Sequence, residues 1–166
     1  MGKCNSTISV IAARESNPQL MHNECSILIQ APLEKIYAMT SDLTRWPALL
    51  PHYRWVRWIE GGPDRGVIEM AALRDWIPVA WTSEFYRDPV QPLLSFRHLT
   101  AFTKGMEVRW IYSQEEQGVR VTIEHELNFR WSLLAPFAEP IIGGFMIDWV
   151  APRTLATFKK LLETNL

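Results

Sequence analysis

From Gly118 to Trp131 the chain alternates residue by residue. Val119, Val121, Ile123, His125, Leu127, Phe129 and Trp131 hold one parity, and Arg120, Thr122, Glu124, Glu126, Asn128 and Arg130 the other. A side-chain period of two over that length is a β-strand with one covered face and one wet face. The run before it repeats the pattern, with Met106, Val108, Trp110 and Tyr112 against Glu107, Arg109 and Ser113, and Ile111 as the exception. A sheet that is wet on one side needs something to cover the other. Only the C-terminal segment can do so. Residues 137–163 carry Ile141, Ile142, Phe145, Trp149, Leu155, Phe158, Leu161 and Leu162, and are predicted as a long helix. Pro136 and Pro140 mark its entrance, and Gly143-Gly144 and Pro152 should bend or interrupt it.

The remaining elements follow from punctuation. Residues 19–30 form the first strand, stopped by Ala31-Pro32. Pro32 suits a first helical turn, and Leu33, Ile36 and Tyr37 have helical spacing. A second short helix opens at Ser41 or Asp42 and should stop at Trp46-Pro47. Strands are predicted over 53–60, 66–74, 76–87, 93–100, 105–114 and 118–131, separated by short turns such as Gly61-Gly62-Pro63-Asp64 and Gln117-Gly118. Short links between successive strands favour an antiparallel meander. The expected fold is α+β: a curved antiparallel sheet of about seven strands wrapped around the C-terminal helix, with two short helices after the first strand. Residues 1–18 read as a mobile extension or a loose outer strand, and 19–166 as one domain.

The formal net charge is -1, from 17 basic and 18 acidic residues, so no global attraction to nucleic acid or an anionic membrane is expected. Cys4 and Cys25 read as free thiols in a reducing compartment. No run approaches the roughly 20 apolar residues of a spanning helix, and Ile8 to Ala13 only weakly imitates a signal peptide. Cytoplasm is the expected compartment, and a monomer or homodimer the expected state. Phosphate-binding glycine loops, dinucleotide fingerprints, H-E-x-x-H and G-x-S-x-G are absent, and His22, His52, His98 and His125 lack metal-ligand spacing. No metal or other cofactor is expected. Eight Trp and seven Phe are the unusual feature, either as a bulky core or as the lining of a pocket for an apolar or aromatic small molecule.

Polar groups on the covered face are the candidates for chemistry. His125 sits mid-strand in an apolar series, as an acid/base group or as a core histidine satisfied by a neighbour. Ser83 stands between Trp81 and Phe85 on one parity. Ser95, Arg97 and Leu99 share one parity of their strand, and Phe96 and His98 the other. Pattern alone leaves Arg97 on the surface as the simpler reading, because burying an unpaired guanidinium is expensive.

Ala31-Pro32-Leu33-Glu34-Lys35-Ile36-Tyr37, Asp42-Leu43-Thr44-Arg45-Trp46-Pro47 and Leu50-Pro51-His52-Tyr53 together resemble the polyketide cyclase/dehydrase branch of the START-like, Bet v 1-like superfamily. The resemblance runs from about residue 24 to 163 and implies the helix-grip fold derived above. It also implies a cavity at Trp46, Tyr53, Trp81, Ser83, Arg97, Trp110 and Tyr112, with Arg97 turned inward as an oxyanion anchor and His125 as the proton-transfer group. Phe85, Ile123, Phe145, Trp149 and Thr154 complete the expected ligand-binding residues. Two positions depart from aromatase/cyclases of the tetracenomycin type: Phe85 where they place an Arg, and Thr154 where they place Asn or Asp. A second group, similar to coenzyme Q-binding proteins and lipid carriers, binds a quinone or lipid and catalyses nothing. Under that reading the apolar stretch from Trp131 to Ile147 would make transient membrane contact.

Overall fold

The structure, a computed structural model, describes residues 4–5, 19–74, 76–88, 90–129 and 149–164. Seven long antiparallel strands and a two-residue edge strand make one sheet in the order β1-β2-β8-β7-β6-β5-β4-β3. The strands are β1 (Cys4–Asn5), β2 (Gln19–Ile29), β3 (Tyr53–Gly61), β4 (Arg65–Arg74), β5 (Ile77–Arg87), β6 (Leu93–His98), β7 (Glu107–Glu115) and β8 (Gly118–Phe129). β3 to β8 form the expected meander, and β2 closes on β8 with Asn23 opposite His125 and Ile29 opposite Val119. Of the first 18 residues only Cys4–Asn5 are described, and they pair antiparallel with β2 at the sheet edge, Cys4 in register with Cys25.

The alternation in β8 settles as expected: Val119, Val121, Ile123, His125 and Leu127 are buried. Its turn depends on Gly118, at φ 141°, where an added Cβ would collide with the Ile29 carbonyl of β2. α1 (Leu33–Ser41) buries Ile36, and its Tyr37 hydroxyl donates to the Asp88 carbonyl at 2.7 Å, tying the helix to the β5–β6 connection. The next segment corrects an expectation. Leu43–Arg45 form a 3-10 turn, and Trp46-Pro47 open α2 (Trp46–Leu49) rather than ending a helix. Proline lacks only a donor that a first turn leaves unpaired anyway, which explains its place.

The covering helix is described as α3 (Ala151–Thr164), entered through a π-type turn at Trp149 and Val150. Pro152 sits in its first turn, and the rest of the predicted long helix, including Phe145 and the proposed membrane-contacting stretch, lies outside the described residues. Ala151, Thr154, Leu155, Phe158 and Leu162 form its buried stripe. The Lys159 ammonium donates to the Leu28 carbonyl at 2.7 Å, and Glu163 accepts from the Gln30 backbone at 2.8 Å, pinning the far end of α3 to β2. Among the described residues no helix is long and apolar enough to cross a membrane.

Candidate functional site in the sheet–helix interior

Between the inner face of the sheet and the first turn of α3 lies a void of about 40 Å³. Trp46, Tyr53, Trp81, Trp110, Ile123, His125 and Thr154, all named from the sequence, line it together with Met70, Phe96, His98, Val108, Val150 and Ala151. Its aromatic side is built around Trp46, whose ring contacts Tyr53, Phe96, Trp110 and Phe158 at centroid distances of 5.1–6.3 Å. The Trp46 indole N–H donates to the Thr40 carbonyl at 3.1 Å, so the α1–α2 corner holds this ring in place.

Several expected residues stand elsewhere. Arg97 corrects the inward placement implied by the resemblance: it is exposed on the outer face, in register with Glu84 and Glu107, while Leu94, Phe96 and His98 point inward. The physical reason is the alternation of β6, which puts two apolar residues on the parity of His98 and spares the guanidinium an unpaired burial. Phe85 is fully buried against Phe96 and Trp58 and fills space outside the void's lining. Tyr112 turns to Thr40, 2.7 Å away, and Trp149 stands edge-on to His52. Ser83 is buried beside the lining, in register with His98.

The polar groups of this interior are neutral, and several have no partner. Among the described residues, His125 Nδ1, Trp81 Nε1, Ser83 Oγ and Asn23 Oδ1 are buried without a hydrogen bond. Burial, with a smaller contribution from His22, lowers the His125 pKa to about 4. Burial and then His125 lower His98 to about 3, while burial and then Arg153 lower His52 to about 4. All three imidazoles are therefore uncharged near neutral pH. His52 Nε2 lies 2.9 Å from the Thr154 hydroxyl, and His98 Nδ1 lies 2.6 Å from Thr103 Oγ1. Burial also raises the Tyr53 hydroxyl well above its ordinary range, against a smaller lowering from Thr154. Among the described residues no group of three His, Cys, Asp or Glu side chains could hold a metal ion.

Residues 29–158 match the family of polyketide cyclases/dehydrases and lipid transport proteins. The chain belongs to that family. A Streptomyces halstedii protein, assigned provisionally as a polyketide cyclase, is 30% identical over 104 residues, covering 59% of this chain and 93% of its own length. The granaticin polyketide synthase bifunctional cyclase/dehydratase of Streptomyces violaceoruber is 29% identical over 117 residues; the match covers 68% of this chain and only 36% of that protein. The fold matches that of the Streptomyces aromatase/cyclase Zhui, with a TM-score of 0.74 at 15% identity over 87% of this chain and 94% of that one. A START superfamily protein from Mycobacterium smegmatis superposes with a TM-score of 0.67 at 12% identity, covering 87% and 99% of the two chains. The interior of this chain carries a neutral polar set of His98, His125, Trp81, Ser83 and Asn23. His98, Asn23 and the His52–Thr154 pair escaped the sequence reading. The Leu94-Phe96-His98 alternation was the signal that would have found His98, whereas nothing local announces a pair 102 residues apart.

Proposed function

We propose that the protein is a cyclase/aromatase-type enzyme that holds a polyketide-derived chain in the sheet–helix interior and promotes its aldol closure and dehydration, with His125 moving the proton. The observation that carries this reading is the set of buried polar atoms without partners, His125 Nδ1, Trp81 Nε1 and Ser83 Oγ, in a largely apolar and aromatic interior. A buried donor or acceptor left unsatisfied costs about 1–3 kcal/mol. Such groups, His125 and Trp81 on the wall of the void and Ser83 beside it, are what a polar substrate would satisfy on entry. A neutral imidazole can accept the proton released as an enol or enolate forms and return it to a departing hydroxyl as water leaves. Asn23, in register with His125 across the β2–β8 pair, likewise buries an unpartnered side-chain oxygen.

The void itself holds a few waters at most, whereas ligand pockets usually measure about 300–1,000 Å³. Substrate entry therefore requires the lining to open, and the first turn of α3 supplies Val150, Ala151 and Thr154 to it. The test is the fate of an unreduced poly-β-ketone thioester with and without the purified protein. A single ring-closure product in its presence, against a mixture in its absence, supports the enzyme reading; an unchanged mixture contradicts it.

One observation favours a carrier instead. With Arg97 outside, no Lys or Arg among the described residues lines the void to stabilise an enolate, and a quinone or lipid would need none. Native mass spectrometry followed by organic extraction separates the two. A stoichiometric quinone or lipid, retained and chemically unchanged, supports carriage, and a bound cyclised polyketide supports catalysis.

A further inference from the structure

The wall formed by β5 and β6 carries three groups in one patch. Trp81 and Ser83 lie two residues apart on the inner parity of β5, and His98 stands directly opposite Ser83 on β6. The His98 and Trp81 rings are stacked, with centroids 5.9 Å apart and planes inclined by 21°. Trp81 Nε1 and Ser83 Oγ are buried and unpartnered, and indole N–H can only donate.

The state of His98 follows from its neighbour. Thr103 is 1% exposed, and its hydroxyl has one hydrogen-bond contact, His98 Nδ1 at 2.6 Å, with no second acceptor among the described residues. Pairing the hydroxyl proton makes Thr103 the donor and His98 Nδ1 the acceptor. The neutral ring then carries its proton on Nε2, the nitrogen left to serve the void that the ring lines. The turn that brings Thr103 under His98 is closed by backbone bonds from Gly105 to the His98 carbonyl at 2.8 Å and from Met106 to the Thr103 carbonyl at 2.9 Å. Within it Ala101 adopts φ 64°, the one non-glycine residue in the left-handed region among the described residues. Strain of that kind persists where the surrounding contacts over-determine a conformation.

We infer that His98 Nε2–H and Trp81 Nε1–H, with the buried Ser83 hydroxyl beside them, form a neutral donor cluster that receives a ketone or enolate oxygen of the bound molecule. The ligand class is thus an aromatic or cyclic ketone, held by aimed dipoles where Arg97 supplies no charge. His98 acts on the ligand directly, and Thr103 is a positioning residue that fixes its tautomer. The assignment rests on the interior being the substrate site proposed above, and its tests do not require turnover.

Two measurements decide it. Nitrogen-15 spectra of histidine-labelled protein near neutral pH should show His98 protonated at Nε2, with Thr103→Val admitting the other tautomer. A wild-type His98 protonated at Nδ1 overturns the assignment. The second measurement is titration with 1-tetralone and with tetralin, two probes of nearly one shape that differ by the ketone oxygen. Two hydrogen bonds of ordinary net strength predict tetralone binding about tenfold tighter. His98→Phe keeps the stacked ring and should bring the two probes to within about threefold, with tetralin affinity unchanged; Trp81→Phe should erode the preference partly and serves if His98→Phe fails to fold. Equal affinity of the wild type for both probes, or binding of neither, overturns the donor cluster. Ring closure of a poly-β-ketone that persists despite either result would leave the cyclase reading standing, so the two can fail separately.

Discussion

The two faces of this sheet treat polar side chains in opposite ways. On the outer face charges answer one another across the strands: the Arg109 guanidinium reaches Glu126 at 2.8 Å and Glu124 at 3.4 Å, and Arg120 reaches Glu115 at 2.5 Å. On the inner face the polar groups are uncharged near neutral pH, and several have no partner. Water and opposite charges satisfy the outer set at little cost, and each pair adds little. The inner set is expensive to leave open and has been left open, and on that contrast the proposed function rests.

Substitutions sharpen that contrast. The largest effect belongs to the aromatic frame: Trp46→Ala removes a ring that contacts four others and should destabilise the fold by about 3–5 kcal/mol in urea unfolding. A loss below about 1 kcal/mol would mean that the interior collapses freely and is no frame. Next comes pH. Burial holds the His52, His98 and His125 pKa values at about 4, 3 and 4, below the usual 6.5, so the unfolded chain binds more protons than the folded one in acid. Their stabilising contribution is complete above pH 6.5 and is lost as pH falls toward 4 and then 3, each contributing a slope of up to about 1.4 kcal/mol per pH unit. Urea unfolding at pH 7, 6 and 5 should follow this slope in the wild type and become about one third shallower in His125→Leu; a pH-independent wild type would contradict buried neutral imidazoles.

A smaller effect has the opposite sign. Ser83→Ala removes an unpaired hydroxyl and should raise stability by about 1 kcal/mol, while a loss of that size would reveal a structural partner. Smallest is Arg97→Ala, expected to change stability by under about 0.5 kcal/mol and ring closure not at all. A large loss of ring closure would restore the inward anchor that the resemblance implied.

Much of the fold was legible because period-two alternation is a local signal. The strands from 53 to 129 fell within a few residues of their predicted bounds, and β8 buried the parity it advertised. Trp46-Pro47 misled because proline marks both ends of helices, and only the closing contact, Leu50 N–H to the Trp46 carbonyl at 2.7 Å, distinguishes them. At the site, composition showed the excess of aromatic residues, and the resemblance implied which of them line a cavity. Arg97 could not be placed by analogy, because a shift of one residue in register exchanges it with His98. The pairings His52–Thr154 and His98–Thr103 depend on chain trajectory and on a turn with an unusual backbone, neither of which a single sequence displays.

The central claim is that the unpartnered inner groups exist for chemistry, and His125→Leu tests it most directly through the single-turnover rate of ring closure on a poly-β-ketone thioester. With folding verified by urea unfolding, the account predicts a rate at least about 100-fold below wild type. A folded His125→Leu protein that closes the ring at the wild-type rate would contradict it.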